Sequence, residues 1–122
     1  MSNTTVQTSS YPNRYNNVQR NARSLTSAQP VVMEAFTRFH KAGVATGALD
    51  TKTKELIALA ISITARCDDC IAHHTHDALE AGASREEIAD AIGVAVLMGG
   101  GPGMIYATHA IEALNQFLDN PS

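Results

Sequence analysis

A chain of 122 residues fits one domain, and its 44% of hydrophobic residues suffice for a packed core. A net charge of -3 and the absence of tryptophan exclude the basic face and the aromatic platform typical of nucleic-acid binding. The N-terminus lacks a secretory signal, and the longest apolar run, residues 56–65, is shorter than the roughly 20 residues that cross a bilayer, so we predict a cytoplasmic protein that binds no membrane.

The N-terminal residues 1–25 are rich in Asn, Ser, Thr and Arg and show no sustained hydrophobic period. This composition predicts a flexible or extended arm, followed by a helical domain over residues 26–122. The arm could order against a neighbouring subunit, with Tyr11, Tyr15 and Val18 as its anchors.

The first two predicted helices begin at capping residues. Ser27 is the expected cap of a helix that has Pro30 in its first turn and ends at Gly43. The apolar residues that recur at helical spacing in it are Val32, Ala35, Phe36 and Phe39. Asp50 is the expected cap of a second helix over residues 52–65.

Three more helices are predicted in the C-terminal half. One opens at residues 67–70 and ends at Gly82, and the next begins with a capping box of Ser84 and Glu87. A glycine-rich segment, residues 99–103, breaks that helix before a last one over residues 104–118. The expected inward-facing residues of the last two helices are Ile88, Ile92, Val96, Ile105, Ile111, Leu114 and Leu118. Because no segment alternates like a strand, the fold is predicted to be all-α.

The two cysteines of the chain, Cys67 and Cys70, lie at the start of the third predicted helix. A spacing of three places both sulfurs on one face, and a helix N-terminus favours the thiolate, which is the reactive form. Two such sulfurs can cycle between dithiol and disulfide. Asp68 and Asp69 suit the positive end of the helix, but their charge also disfavours a neighbouring thiolate, and the sequence leaves this balance open.

His74 is the best-placed proton acceptor, since at about 100° per residue it lies close to both cysteines. His73 and His76 are more typical of surface or interface residues. If the second and third helices form an antiparallel hairpin, Glu55 lies about one turn from the point opposite His74, roughly 5 Å along the axis. A side chain or one water could close that gap.

Residues 54–60, KELIALA, and residues 67–74, CDDCIAHH, resemble the alkylhydroperoxidase AhpD-like or carboxymuconolactone decarboxylase family. The similarity continues through Ala78, residues 81–83, residues 86–88 and residues 98–100, and covers roughly residues 30 to 118. It implies an AhpD-like bundle of about five to six helices that assembles as a homo-oligomer, a trimer or a hexamer.

The resemblance also implies residue roles in a hydroperoxidase. Cys70 matches the cysteine that attacks the peroxide, Cys67 the one that resolves the sulfenic acid as a disulfide, and Glu55 and His74 the proton relay. An external dithiol, of a lipoyl type for example, would reduce the pair again, with no bound cofactor or metal. The peroxidases of this type carry a histidine just before the second cysteine, where this chain has Asp69, and this departure puts the efficiency of the proton path in question.

Other interpretations remain open at this point. Cys67, Cys70 and His74 could supply three ligands to a structural zinc ion, although no fourth ligand is evident. A carboxymuconolactone decarboxylase-like lyase would keep its activity without the cysteines, and a non-enzymatic redox sensor would oxidise reversibly without turnover. His40 and His109 are expected to be satisfied by packing or by a nearby hydrogen bond.

Overall fold

The computed structural model describes residues 9–120, which form five α-helices joined by short turns. The helices are α1 (Tyr11–Ala28), α2 (Pro30–Val44), α3 (Thr51–Thr64), α4 (Asp68–Glu80) and α5 (Arg85–Asp119). The described residues contain no strand, so the prediction of an all-α fold is confirmed. The five helices also agree with the five to six that the family resemblance implies.

The helix starts follow the capping residues recognised in the sequence. The Asp50 side chain accepts a hydrogen bond from the Thr53 N–H at the start of α3. Ser84 and Glu87 form the predicted capping box at the start of α5. Cys67 itself occupies the N-cap of α4. These three caps fix the first residues of α3, α4 and α5, the helices that surround the cysteine pair.

The core lies where α3, α4 and α5 pack against one another. Its largest fully buried side chains are Leu59, Ile63, Ile71, Ile88, Leu114 and Thr75. Many of the remaining core positions on α4 and α5 are alanines, which allow close approach of the helices. The packed pair of α3 and α4 is the part of the fold that positions the cysteine motif.

The flexible or extended arm predicted for the N-terminus is wrong for the described residues of α1. Ser10 caps this helix, Pro12 lies in its first turn, and Tyr11 is only 5% exposed in the core of the same chain. The polar composition hid the helix because its stability comes from a few anchoring contacts rather than from an apolar period. Residues 1–8 of the predicted arm lie outside the described residues.

The helix predicted from Ser27 also differs in detail. Ser27 lies inside α1, and α2 begins at Pro30 after Gln29, whose side chain makes no cap hydrogen bond. None of the α2 residues is buried, and Phe36 and Phe39 are 55% and 73% exposed. The apolar residues of α2 therefore recur at helical spacing as predicted, but within one chain their side chains are exposed.

The glycine-rich segment interrupts α5 at Gly100, so Arg85–Asp119 comprises two helices that meet at a kink, and the predicted break within residues 99–103 is confirmed. Gly100 has φ +62° and ψ -141°, and helical conformation resumes after this bend. The predicted inward positions of Ile105 and Leu118 are wrong, since these side chains are 53% and 43% exposed, whereas Ile88, Ile92 and Leu114 are buried. By length and composition α5 is apolar enough to cross a membrane, and only 22% of its most apolar stretch is buried in the bundle. The absence of membrane binding stays a prediction.

Candidate active site

The turn between α3 and α4 brings the cysteine pair to the start of α4. Arg66, just before Cys67, has φ +58°, and the Cys67 N–H donates to the Ser62 carbonyl, which closes the end of α3. The Cys70 N–H in turn donates to the Cys67 sulfur over an N–S distance of 3.1 Å. Cys67 and Cys70 are joined as a disulfide, with their Cα atoms 5.2 Å apart. The structure therefore holds the pair in its oxidised form.

Glu55 and His74 meet across the interface of α3 and α4. The distance between Glu55 Oε1 and His74 Nδ1 is 2.7 Å, and Glu55 is only 3% exposed. A buried carboxylate needs such a partner, since an isolated charge in the core is strongly disfavoured. The helical hairpin considered for these residues is present, and the side chains close the expected gap directly, without a bridging water.

A cavity of about 500 Å³ opens between α1, α2 and α4 beside this pair. Cys70, His73 and His74 line it from α4, and Asp69 lies at the same wall. The opposite walls carry the apolar side chains of Val18, Ala22, Met33 and Phe36, together with Gln19, Thr37 and His40. Cys67 is not among the lining residues, so Cys70 is the cysteine that a small molecule in the cavity would meet.

Asp77 is a member of the site that the sequence did not single out. Its Oδ2 lies 3.0 Å from His73 Nε2 and its Oδ1 lies 2.8 Å from His76 Nδ1. Burial opposes ionisation, but the hydrogen bonds from the two histidines outweigh it and lower the pKa of Asp77 to about 2. The same hydrogen bond raises the pKa of His73 against the opposing effect of burial. The i, i+4 spacing of His73 and Asp77 was the available signal.

Both acidic residues of the motif are paired. The Tyr11 hydroxyl donates a hydrogen bond to Asp68 Oδ1 over 2.8 Å, and His109 Nδ1 lies 2.8 Å from the same oxygen. Burial opposes ionisation of Asp68, yet these hydrogen bonds lower its pKa overall. Asp69 forms an ion pair with Arg14 of α1 at 3.1 Å. Each carboxylate therefore has a donor that offsets its effect on the nearby sulfurs.

The other histidines divide between expected and unexpected environments. His109 is satisfied by a nearby hydrogen bond, as predicted. His76 stacks on Tyr15 with ring centroids 3.9 Å apart. His40 packs its ring against those of His73 and His74, but its buried Nε2 has no hydrogen-bond partner among residues 9–120. In the zinc interpretation the two sulfurs would be ligands, but here they are bonded to each other.

Comparison with known proteins supports the family resemblance seen in the sequence, over most of the chain. Residues 30–113 match the model of the carboxymuconolactone decarboxylase family. An uncharacterized protein of Cupriavidus necator is 41% identical over 105 residues, which are 84% of this chain and 93% of that protein. An uncharacterized protein of the cox locus of Paracoccus denitrificans is 39% identical over 83 residues, 68% of this chain and 75% of that protein.

Solved structures are similar as well. A carboxymuconolactone decarboxylase family protein of Legionella pneumophila, in its apo form, is 36% identical with a TM-score of 0.84, covering 88% of this chain and 96% of its own. A protein of the same family from Thermotoga maritima, with a possible role in antioxidative response, is 31% identical with a TM-score of 0.77. The alignment covers 87% of this chain and 91% of the Thermotoga chain.

Proposed function

Because the chain belongs to the carboxymuconolactone decarboxylase family, we propose that it is a thiol-dependent hydroperoxidase that uses Cys67 and Cys70 with a Glu55–His74 proton relay. The observation that carries this proposal is the position of Cys70 in the same cavity as His74, whose ring is held by the buried Glu55. A thiol at a cavity wall beside an oriented base is the arrangement that thiol chemistry on a small substrate requires.

The relay works through the two nitrogens of His74. When the Nδ1–H group donates a hydrogen bond to Glu55, Nε2 of the neutral ring carries no proton and can accept one. Cys70 and His74 are one helical turn apart on α4, a spacing at which side chains are neighbours. His74 therefore takes the Cys70 proton, directly or through one water, and the Glu55 carboxylate stabilises the imidazolium that forms.

The chemistry balances with an external dithiol as reductant. The Cys70 thiolate attacks the terminal oxygen of a hydroperoxide, the O–O bond breaks, and the alcohol leaves with the proton held by His74. Cys70 is then a sulfenic acid. The Cys67 thiol displaces its oxygen as water and forms the disulfide, which is the state of the pair in this structure. A dithiol such as a reduced lipoyl group restores both thiols by exchange.

The cavity favours an organic substrate. Its walls opposite Cys70 include the apolar side chains of Val18, Ala22, Met33 and Phe36 beside the polar Gln19, Thr37 and His40, and the apolar part suits an organic tail. The possible antioxidative role of the Thermotoga relative agrees with a hydroperoxide as substrate. We place this activity in the cytoplasm, where external dithiols are kept reduced.

We further propose that the protein acts as a homo-oligomer, a trimer or a hexamer. The support is the apolar side of α2, where Val31, Val32, Phe36 and Phe39 are each more than half exposed. Several large apolar side chains exposed on one helix of a small chain are typical of an interface between subunits. Phe36 also lines the cavity, so assembly at this surface would close one side of it.

The test is peroxide consumption by the purified protein with dihydrolipoamide as reductant. We expect turnover in the wild type, none in Cys70→Ser, and a trapped sulfenic acid on Cys70 in Cys67→Ser. No turnover with hydrogen peroxide or organic hydroperoxides, despite a reducible disulfide, would contradict the proposal and favour a redox sensor. Lyase activity on a lactone acid that survives replacement of both cysteines would favour a decarboxylase-type enzyme.

A further inference from the structure

A second group of potential ligands lies beside the cysteine site, on α2 and α4. His73 and Asp77 are four residues apart on α4, with His73 Nε2 and Asp77 Oδ2 separated by 3.0 Å. His40 of α2 faces them, and the rings of His40 and His73 are edge to face with centroids 5.5 Å apart. One ligand atom from each of these three residues lies within 4.8 Å of the other two.

His40 supplies an independent observation. Its Nε2 atom is buried and has no hydrogen-bond partner among the described residues. A buried polar nitrogen is rarely left unpaired in a native protein, and each such atom needs an explanation. An imidazole nitrogen is at the same time the commonest metal ligand that proteins use. The unpaired nitrogen beside two further ligand groups therefore indicates a bound species.

We propose that His40, His73 and Asp77 bind a divalent transition-metal ion such as Zn²⁺. Two imidazoles and one carboxylate form a donor set that suits Zn²⁺, Ni²⁺ or Fe²⁺ and not the oxygen-preferring Mg²⁺ or Ca²⁺. Metal bonds of about 2.0–2.2 Å place two ligand atoms of a tetrahedral ion about 3.3–3.6 Å apart, so His73 Nε2 and Asp77 Oδ2, which are 3.0 Å apart, would have to separate by only a few tenths of an ångström. His40 offers the third ligand atom, within 4.8 Å of the other two.

The surroundings fit the requirements of such an ion. His76 Nδ1 lies 2.8 Å from the second oxygen of Asp77 and orients the carboxylate, so that an ion between Oδ2 and His73 Nε2 would replace the proton that these two atoms share. His40 and His73 both line the cavity of about 500 Å³, which has room for water as the remaining ligand. The site contains no sulfur, so it is separate from the zinc interpretation of the cysteine motif.

The experiment uses the oxidised full chain after removal of metals with a chelator, since the disulfide withholds both sulfurs from any ion. Calorimetric titration with Zn²⁺ is expected to show one ion per chain. Co²⁺ is expected to give weak visible bands without the intense ultraviolet band of sulfur ligation. His40→Ala and Asp77→Asn should each weaken binding at least tenfold, whereas His109→Ala, whose histidine is bonded to Asp68, should leave it unchanged.

Three results would overturn the metal site. One is the absence of binding by wild-type protein, and another is unchanged affinity in either His40→Ala or Asp77→Asn. The third is an equal loss of affinity in the His109→Ala control. Asp77→Asn keeps the size of the side chain, so it separates lost ligation from a failure to fold, which circular dichroism of each variant checks. These outcomes do not depend on whether the protein reduces peroxides.

Discussion

The Glu55 carboxylate lies 2.7 Å from Nδ1 of His74, across the packed interface of α3 and α4. Glu55 is almost fully buried, whereas His74 also reaches the cavity that contains Cys70. The pair thus joins the interior of the bundle to the place where a substrate would lie. A buried carboxylate that orients a histidine is a recurrent way to fix which ring nitrogen accepts a proton.

Replacement of Glu55 by glutamine tests this relationship. The amide can keep a hydrogen bond but lacks the charge that stabilises an imidazolium, so Glu55→Gln should slow peroxide reduction by about 10- to 100-fold. The measurement is the rate at which the reduced protein forms the Cys70 sulfenic acid in a single turnover. The matched control is Glu86→Gln on the exposed first turn of α5, which should leave the rate unchanged. An equal rate in both variants would remove Glu55 from the proton path.

The contact between α1 and the cysteine motif gives a stability prediction. Tyr11 is buried, and its hydroxyl donates a hydrogen bond to Asp68. Burial, and to a smaller extent this hydrogen bond, raises the pKa of the tyrosine. Tyr11→Phe keeps the ring but loses a hydrogen bond to a charged acceptor, so the free energy of unfolding should fall by about 1 to 2 kcal/mol. Urea unfolding followed by circular dichroism measures it.

Tyr106 provides the control for this substitution. It is a partly buried tyrosine of α5, and no described contact uses its hydroxyl, so Tyr106→Phe should change stability by less than about 0.5 kcal/mol. Equal losses in the two variants would mean that the Tyr11–Asp68 bond does not hold α1 in place. α1 would then depend on its other contacts, which include the Arg14–Asp69 ion pair.

The local signals in the sequence predicted the helices that surround the site. Asp50 and the capping box of Ser84 and Glu87 lie where the structure has helix starts, because caps act on backbone groups within one turn. The contact between Glu55 and His74 was within reach of the same reasoning once a hairpin of α3 and α4 was assumed. The roles of the four site residues stay a prediction.

Long-range contacts were beyond local reasoning. α1 is a polar helix that packs through Tyr11, and no periodic signal marks a helix that has few anchoring residues. Asp77 was overlooked because an acidic residue among histidines has the same local pattern on a surface as in a cluster. His40 joined the group only through the packing of α2 beside α4, which no spacing along the chain records.

The exposed apolar side of α2 leads to a prediction about assembly. Phe39 is 73% exposed, so Phe39→Ser should reduce the oligomer to smaller species if this surface is the interface. Light scattering coupled to size-exclusion chromatography measures the mass at matched concentrations. The control, Lys41→Ser on the same helix, should keep the wild-type mass. Unchanged mass in Phe39→Ser would move the interface elsewhere, for example to the exposed side of α5.

The pairing of Asp77 with His73 and His76 predicts a pH-dependent stability in metal-free protein. The pKa of Asp77 is lowered from 3.8 to about 2, so its contribution is present above about pH 4 and is lost as the pH falls towards 2. That shift corresponds to about 2 kcal/mol. The pKa of His73 is raised from 6.5, so its contribution is complete below that value and is lost as the pH rises through the folded pKa.

The difference between wild type and Asp77→Asn in the free energy of unfolding should therefore be largest, about 2 kcal/mol, between about pH 4 and 6.5. It should shrink at lower pH as Asp77 is protonated and at higher pH as His73 loses its charge. Urea unfolding of both proteins from pH 3 to 9, with chelator present, measures the profile. Asp90→Asn, at an exposed position of α5, should show a flat and small difference. A flat profile for Asp77→Asn as well would mean that the histidine contacts do not stabilise the ionised carboxylate.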